Sequence, residues 1–259
     1  FQTPVYMLKK PDFLPVVNAV SQKYVERSRA RKKNKNPVVV MSGSYMNEPE
    51  IAEFAKYVSQ TAWNILSAQG YKMQDLVTFF TEMWTQEHNN LSSMETHVHG
   101  HGVQISAFYF LDVPENSCKL VIHDPRPGKV IVNLHQANPK EISEASHQIV
   151  FTPEPGLLVL VNSWVPHSFT KNFSKQSLRF VHMNLSVALS PEALERMKKA
   201  KDLRREAEAI YTEDLAANQA MVDQGHPELA AMKINGARLR GLISTHPPLE
   251  ERIAALQRG

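Results

Sequence analysis

Hydrophobic positions along this 259-residue chain change period twice. Between Asn47 and Gly70, the residues Ile51, Phe54, Ala55, Val58, Ala62, Ile65 and Leu66 recur at helical spacing. That pattern predicts an amphipathic helix with one face to bury. Asn47 and Glu50 read as a capping-box pair, Pro49 suits the first turn, and Gly70 ends the run. After Gly70 the pattern becomes extended and partly alternating. Strands are expected at Val77-Thr78-Phe79-Phe80, Met83-Trp84, Val103 to Leu111 and Lys119 to Ile122. More are expected at Val130-Ile131-Val132, His147 to Phe151, Leu157 to Val161 and Leu178 to Val187, punctuated by Pro114, Pro125, Pro127-Gly128 and Pro153 to Gly156. Seven or eight short strands separated by turns predict a sandwich or barrel of jelly-roll type, with the preceding helix covering one sheet. Beyond Val187 the period is helical again. Ser190-Pro191 is a start signal, Leu194, Met197, Leu203, Ala207 and Ile210 follow on one face, and Lys198, Lys199, Arg204, Arg205 and Glu206 lie elsewhere. Polar breaks fall at Gly225-His226-Pro227 and Thr245-His246-Pro247-Pro248. The expected organisation is α+β: a jelly-roll domain with N-terminal helices over 1–187 and a helical extension over 188–259.

Composition adds limits. A hydrophobic fraction of 42% is ordinary for a chain that buries a core, and a net charge of +3 does not mark a nucleic-acid binder. Arg27, Arg29, Arg31, Lys32, Lys33 and Lys35 are clustered. They read as a solvated helix end and loop, or as a contact for phosphates or an acidic partner, but lack the interleaved aromatics of a single-strand groove. Nucleic acid is not an expected partner. The single cysteine, Cys118, excludes an internal disulfide framework and a cysteine-rich zinc site. No apolar run reaches the roughly 18 residues of a spanning helix, and nothing near Phe1 reads as a signal peptide. The expectation is a soluble cytoplasmic protein without membrane association, from which residues before Phe1 are missing or removed.

The candidate chemistry starts at His97-Val98-His99-Gly100-His101. Alternate residues of an extended strand share a face, so these imidazoles would converge there as ligands for iron, zinc, copper or nickel. The alternative is exposed histidines on a glycine-rich loop. Downstream, the buried-strand pattern Gly156 to Val161 leads to Asn162-Ser163-Trp164-Val165-Pro166-His167, which puts His167 at a barrel mouth. Arg179 follows, offering a bidentate fork for a carboxylate. A histidine pair, a distant histidine and an arginine match a facial metal site with open positions beside a carboxylate anchor.

This combination resembles the 2-oxoglutarate and iron(II)-dependent oxygenases, whose double-stranded β-helix carries His-x-Asp/Glu, a distal His and a later Arg or Lys. It is most similar to a branch found in bacteria and phages. The matching stretches are His97-Val98-His99, Ile105 to Leu111, His123-Asp124-Pro125-Arg126 and Ser163-Trp164-Val165-Pro166-His167-Ser168, within roughly residues 77–187. The resemblance implies a double-stranded β-helix and an oxygenase (hydroxylase) acting on an unknown protein or small molecule. It implies iron(II) on His97, His99 and His167, 2-oxoglutarate with its distal carboxylate on Arg179, and substrate near Asp124 and Arg126. His101 is the rival of His99 as second ligand.

One departure stands out: no Asp or Glu lies two residues after any histidine of the cluster. Three imidazoles leave iron(II) with one more unit of positive charge than two imidazoles and a carboxylate. Asp124 could supply the carboxylate, although its place in Asp-Pro-Arg suits a structural or substrate role. The alternative function is therefore a non-catalytic jelly-roll protein with a vestigial or structural metal site, located in a virion if phage-encoded. The tail segments Gly225 to Met232 and Ser244 to Ile253 are similar to the C-terminal end of a zinc metallopeptidase family, but the chain lacks His-Glu-x-x-His. Peptidase activity is not expected, and 188–259 reads as a surface for a protein partner. Trp84 and Trp164 read as packing residues, His123, His135, His147 and His182 as ordinary polar positions, and Cys118 as inert.

Overall fold

In the computed structural model, residues 3–31, 38–100, 102–132 and 134–223 are described. The chain divides into two compact units, Phe1–Leu189 and Ser190–Gly259. The first opens with β1 (Val5–Lys9), a 3-10 turn at Pro11–Phe13, α1 (Leu14–Arg31) and β2 (Val39–Met41). A 3-10 turn at Pro49–Ile51 leads into α2 (Ala52–Ala68), followed by β3 (Leu76–His88), β4 (Met94–His97), β5 (Ile105–Asp112) and β6 (Leu120–His123). Then come a 3-10 turn at Pro127–Ile131, β7 (Gln148–Phe151), β8 (Leu157–Asn162), β9 (His167–Phe169) and β10 (Leu178–Leu189). The strands form an antiparallel six-stranded sheet in the order β1-β8-β5-β10-β3-β2 and a four-stranded sheet in the order β4-β9-β6-β7. This is the double-stranded β-helix of an α+β protein.

The period-2 alternation of the large sheet separates two cores. One face of β10 contributes Val181, Met183 and Leu185, which pack with Met83, Tyr109 and Leu158 against Val17 of α1 and Phe54, Val58 and Ala62 of α2. The opposite face contributes Leu178 and Phe180, which pack with Phe108, Phe110, Val159 and Val161 against Leu120, Ile122 and Phe169 of the small sheet. Each fully buried residue of this kind stabilises the fold by about 1.5–3 kcal/mol. Central strands are thus apolar on both faces.

Several expectations are corrected. Residues 130–132 do not form a strand, because Pro127 opens a 3-10 turn that runs to Ile131. The Asn47–Glu50 capping pair does not form. Glu48 stands at the N-cap, and its carboxylate accepts hydrogen bonds from Tyr24 and Lys23 of α1 instead. The expected N-terminal helix is α1, and with β1, which was not foreseen, it completes the large sheet and its cover. The chain reaches them through a close approach: Lys10 N–H donates to Gly156 O at 2.7 Å. Gly156 has φ +80°, and a Cβ there would lie 2.8 Å from Pro11 Cα, so only glycine fits.

In the second unit, α3 (Pro191–Asp223) starts at Ser190, whose Oγ accepts the Ala193 N–H at 3.1 Å. No helix among the described residues is long and apolar enough to cross a membrane. Lys32, Lys33, Lys35, His101 and the peptidase-like tail segments lie outside the described residues.

Candidate metal centre

His97 ends β4 and pairs across the small sheet with His167, the first residue of β9. His99 lies beyond the strand, where its N–H donates to Ser163 O at 2.9 Å. The expected convergence therefore arises from a strand end, a neighbouring strand and an anchored loop, not from one strand face. Ring centroids are 4.4 Å apart for His97–His167 and 5.2 Å for both His97–His99 and His99–His167. One ring nitrogen of each lies within 4.8 Å of the others.

The hydrogen bonds around the rings orient them. His97 Nδ1–H donates to Glu95 O at 2.8 Å and His167 Nδ1–H to Val165 O at 3.1 Å, which leaves both Nε2 lone pairs free. Metal-ligating imidazoles are held in this way, through the nitrogen that does not bind the ion. The Nε2 atoms of His99 and His167 are buried without a partner. Burial, reinforced by His97, His99 and His123, pushes the fully buried His167 down to about 3, so it is neutral at pH 7. His99 is lowered chiefly by burial and by His97, while Glu82 opposes the shift. Buried, neutral, unpartnered imidazole nitrogens fit a divalent first-row ion, for which imidazole is a suitable donor.

The carboxylate of a two-histidine site is not in the cluster. Glu82 approaches it only through Asn184, whose amide donates to Glu82 Oε2 at 3.3 Å and lies 3.4 Å from His99 Nδ1. Asp124 is engaged elsewhere: the Arg126 backbone N–H and guanidinium both bond it, holding its carboxyl down at about 2. That pair pins the turn after β6 and lines a cleft of about 460 Å³ with His123, Ser146 and His147.

Arg179 is not brought to the histidines. It shares a face of β10 with Val181 and Met183, towards α1, not with Phe180 and His182. Its guanidinium bonds Asp112 through Nε at 2.8 Å and through Nη2, and Asn18 Oδ1 at 2.5 Å, with a further bond to Gln22. The inward positions of β3, β5 and β10 are instead Glu82, Trp84, Gln86 and His88; Ser106, Phe108 and Phe110; and Leu178, Phe180, His182 and Asn184, with no lysine or arginine.

His182 went unrecognised in the sequence, yet its buried ring stands 4.9 Å from His99 and 4.3 Å from Trp84. The available signal was its even spacing from Phe180 and Asn184 on one strand. Trp164 is 48% exposed at the rim, and Cys118 is buried, its thiol pushed up to about 12 by desolvation.

Residues 82–182 match the family described as "Putative 2OG-Fe(II) oxygenase". Among solved structures, the fold is similar to AviO1 from Streptomyces viridochromogenes Tue57 (TM-score 0.51, 12% identity, covering 74% of this chain and 92% of that one). It is also similar to the apoform of EctD from S. alaskensis (TM-score 0.50, 11% identity, 71% and 73% covered). No curated protein matches the chain by sequence.

Proposed function

We propose that His97, His99 and His167 are the iron ligands of an oxygenase domain, since residues 82–182 match the 2OG-Fe(II) oxygenase family. The supporting observation is the convergence of three imidazole nitrogens within 4.8 Å, two of them buried and unpartnered. When bound, iron(II) with 2-oxoglutarate supplies the oxidising chemistry of the family, acting on a substrate whose identity is open. The chain's own contribution is positional. Val165 O and Glu95 O fix two rings, Ser163 O anchors the third, and the phenylalanines of the inner core keep water from the far side of the site.

The cleft carrying Asp124, Arg126, His123 and His147 is the proposed substrate entrance. None of the three histidines lines it, but it borders the strand that carries one of them: His123 N–H donates to Pro166 O at 2.9 Å, next to His167. Asp124 remains ionised there, so the entrance presents a paired carboxylate and guanidinium to a polar group of the substrate.

Metal analysis of purified protein, with 2-oxoglutarate turnover to succinate as the second readout, tests the reading. Iron is expected at one per chain in the native protein and lost in His97→Ala, His99→Ala and His167→Ala. Unchanged iron in all three variants would sink it. Iron without any 2-oxoglutarate consumption would make the domain a metal-binding module.

A further inference from the structure

Six buried polar side-chain atoms among the described residues have no hydrogen-bond partner: Trp84 Nε1, His88 Nδ1, Ser92 Oγ, His99 Nε2, His167 Nε2 and His182 Nε2. Native proteins leave few such groups, and each calls for a cause. His99 and His167 belong to the metal cluster. Trp84, His88 and His182 do not, yet all three lie on the inner face of the β3–β10 pair.

Their arrangement is ordered. Trp84 and His182 are cross-strand partners with rings 4.3 Å apart, and His182 reaches to 4.9 Å from His99. Further along the same face, His88 stands opposite Leu178. The Gln86 side-chain amide donates to His88 Nε2 at 3.0 Å, so Nδ1 carries the ring proton and has nothing to give it to. Trp84 and His88 are four residues apart on one strand, about 13 Å by strand rise. A five-carbon dicarboxylate with a hydrogen bond at either end reaches along that row when fully extended. The rings of Phe169 and Phe180 cover His88 at 5.3 and 5.8 Å, so seating a ligand there displaces the Phe180 ring.

We propose that Trp84, His182 and His88 form the seat for the carboxylates of 2-oxoglutarate along the inner face of β3 and β10, in the role the sequence had suggested for Arg179. His88 Nδ1–H, oriented by Gln86, takes the distal carboxylate, while Trp84 and His182 hold the end nearer the metal. This rests on the oxygenase reading above. It replaces a guanidinium with neutral donors in an apolar surround, where a hydrogen bond is strong because water does not compete.

The test is equilibrium binding to manganese-loaded protein, which turns nothing over, followed by calorimetry and by tryptophan fluorescence. The two ligands are 2-oxoglutarate and 2-oxopentanoate, which keeps the keto-acid end and lacks the distal carboxylate. The native protein is expected to prefer 2-oxoglutarate by on the order of tenfold or more. His88→Phe should abolish that preference while manganese affinity stays as in the native protein, and His88→Gln, which keeps a donor, should retain most of it. Trp84→Phe and His182→Phe should weaken both ligands together. The folded variant Arg179→Gln should keep the preference. Preference surviving in His88→Phe, or lost in folded Arg179→Gln, overturns the proposal. So do inner-face variants that change thermal stability alone, since buried water would then account for the unpartnered atoms. Native protein that takes up manganese and binds neither keto acid fails the oxygenase reading itself, a result distinct from a misplaced seat.

Discussion

The two faces of the six-stranded sheet carry polar side chains in opposite conditions. On the helix side they are matched. Arg179 is bonded by Asp112, Asn18 and Gln22, Arg29 pairs with Glu87, and Tyr45 Oη, Thr85 and Ser21 form a buried chain at 2.7 and 2.8 Å. On the inner side Trp84, His88 and His182 have buried nitrogens without partners, and His99 and His167 add two more. Leaving a buried donor unmet costs about 1–3 kcal/mol, so a face that tolerates several is arranged for something other than stability. Polarity alone does not mark the site. Unmet polarity does.

The largest expected effect lies on the inner side. His167→Ala should weaken iron binding by at least roughly 100-fold, because it removes a buried ligand and not merely one of its supports. A competition titration against a chelator measures this, and native-like affinity would break the contrast between the faces. Next is Arg179→Met on the helix side. Breaking a buried ion pair costs about 3–5 kcal/mol, and the half-exposed Asp112 partner reduces this to about 2 kcal/mol. The denaturant midpoint should fall accordingly with iron content unchanged; the reverse outcome would move Arg179 into the site.

A smaller effect comes from pH. Burial lowers His88 to about 4, so in the acid range the unfolded chain binds a proton that the folded one refuses. The metal-free protein should hold this contribution above pH ~6.5 and lose about 1–3 kcal/mol as pH falls towards 4. Unfolding curves across that range should be flatter for His88→Gln, and identical slopes would refute the assignment. The smallest effect is at Cys118, which is fully buried with its thiol raised to about 12. Alkylation of the native protein at pH 7.5 should be negligible and should appear only on unfolding.

Much of this was legible in the chain. Helical spacing from Ile51 to Leu66 placed α2, and turn residues separated most of the strands, since those signals act over a few residues. The capping pair at Asn47 and Glu50 was not realised: the 3-10 turn starts with Glu48 at its N-cap, and Lys23 from a distant helix pairs with both Glu48 and Glu50. β1 was missed for a related reason: Val5 to Lys9 is short, and its pairing with β8 is contributed by residues 157–161. The histidines His97, His99 and His167 could be named from their spacing, but not how they would meet.

The residue types at the candidate metal cluster and the lack of an Asp or Glu two residues after its histidines were settled by the sequence itself, as were the oxygenase-like order of motifs and the apolar character of the strands. Which side each strand residue faces was decided only by the tertiary structure. Strand β10 is buried on both faces, so Leu178, Arg179, Phe180 and Val181 show no alternation that would say which of them looks inward. Only the helices packed on one side and the small sheet on the other resolve that question. They turn Arg179 towards α1, and they leave Trp84, His88 and His182 facing the interior with nitrogens to spare.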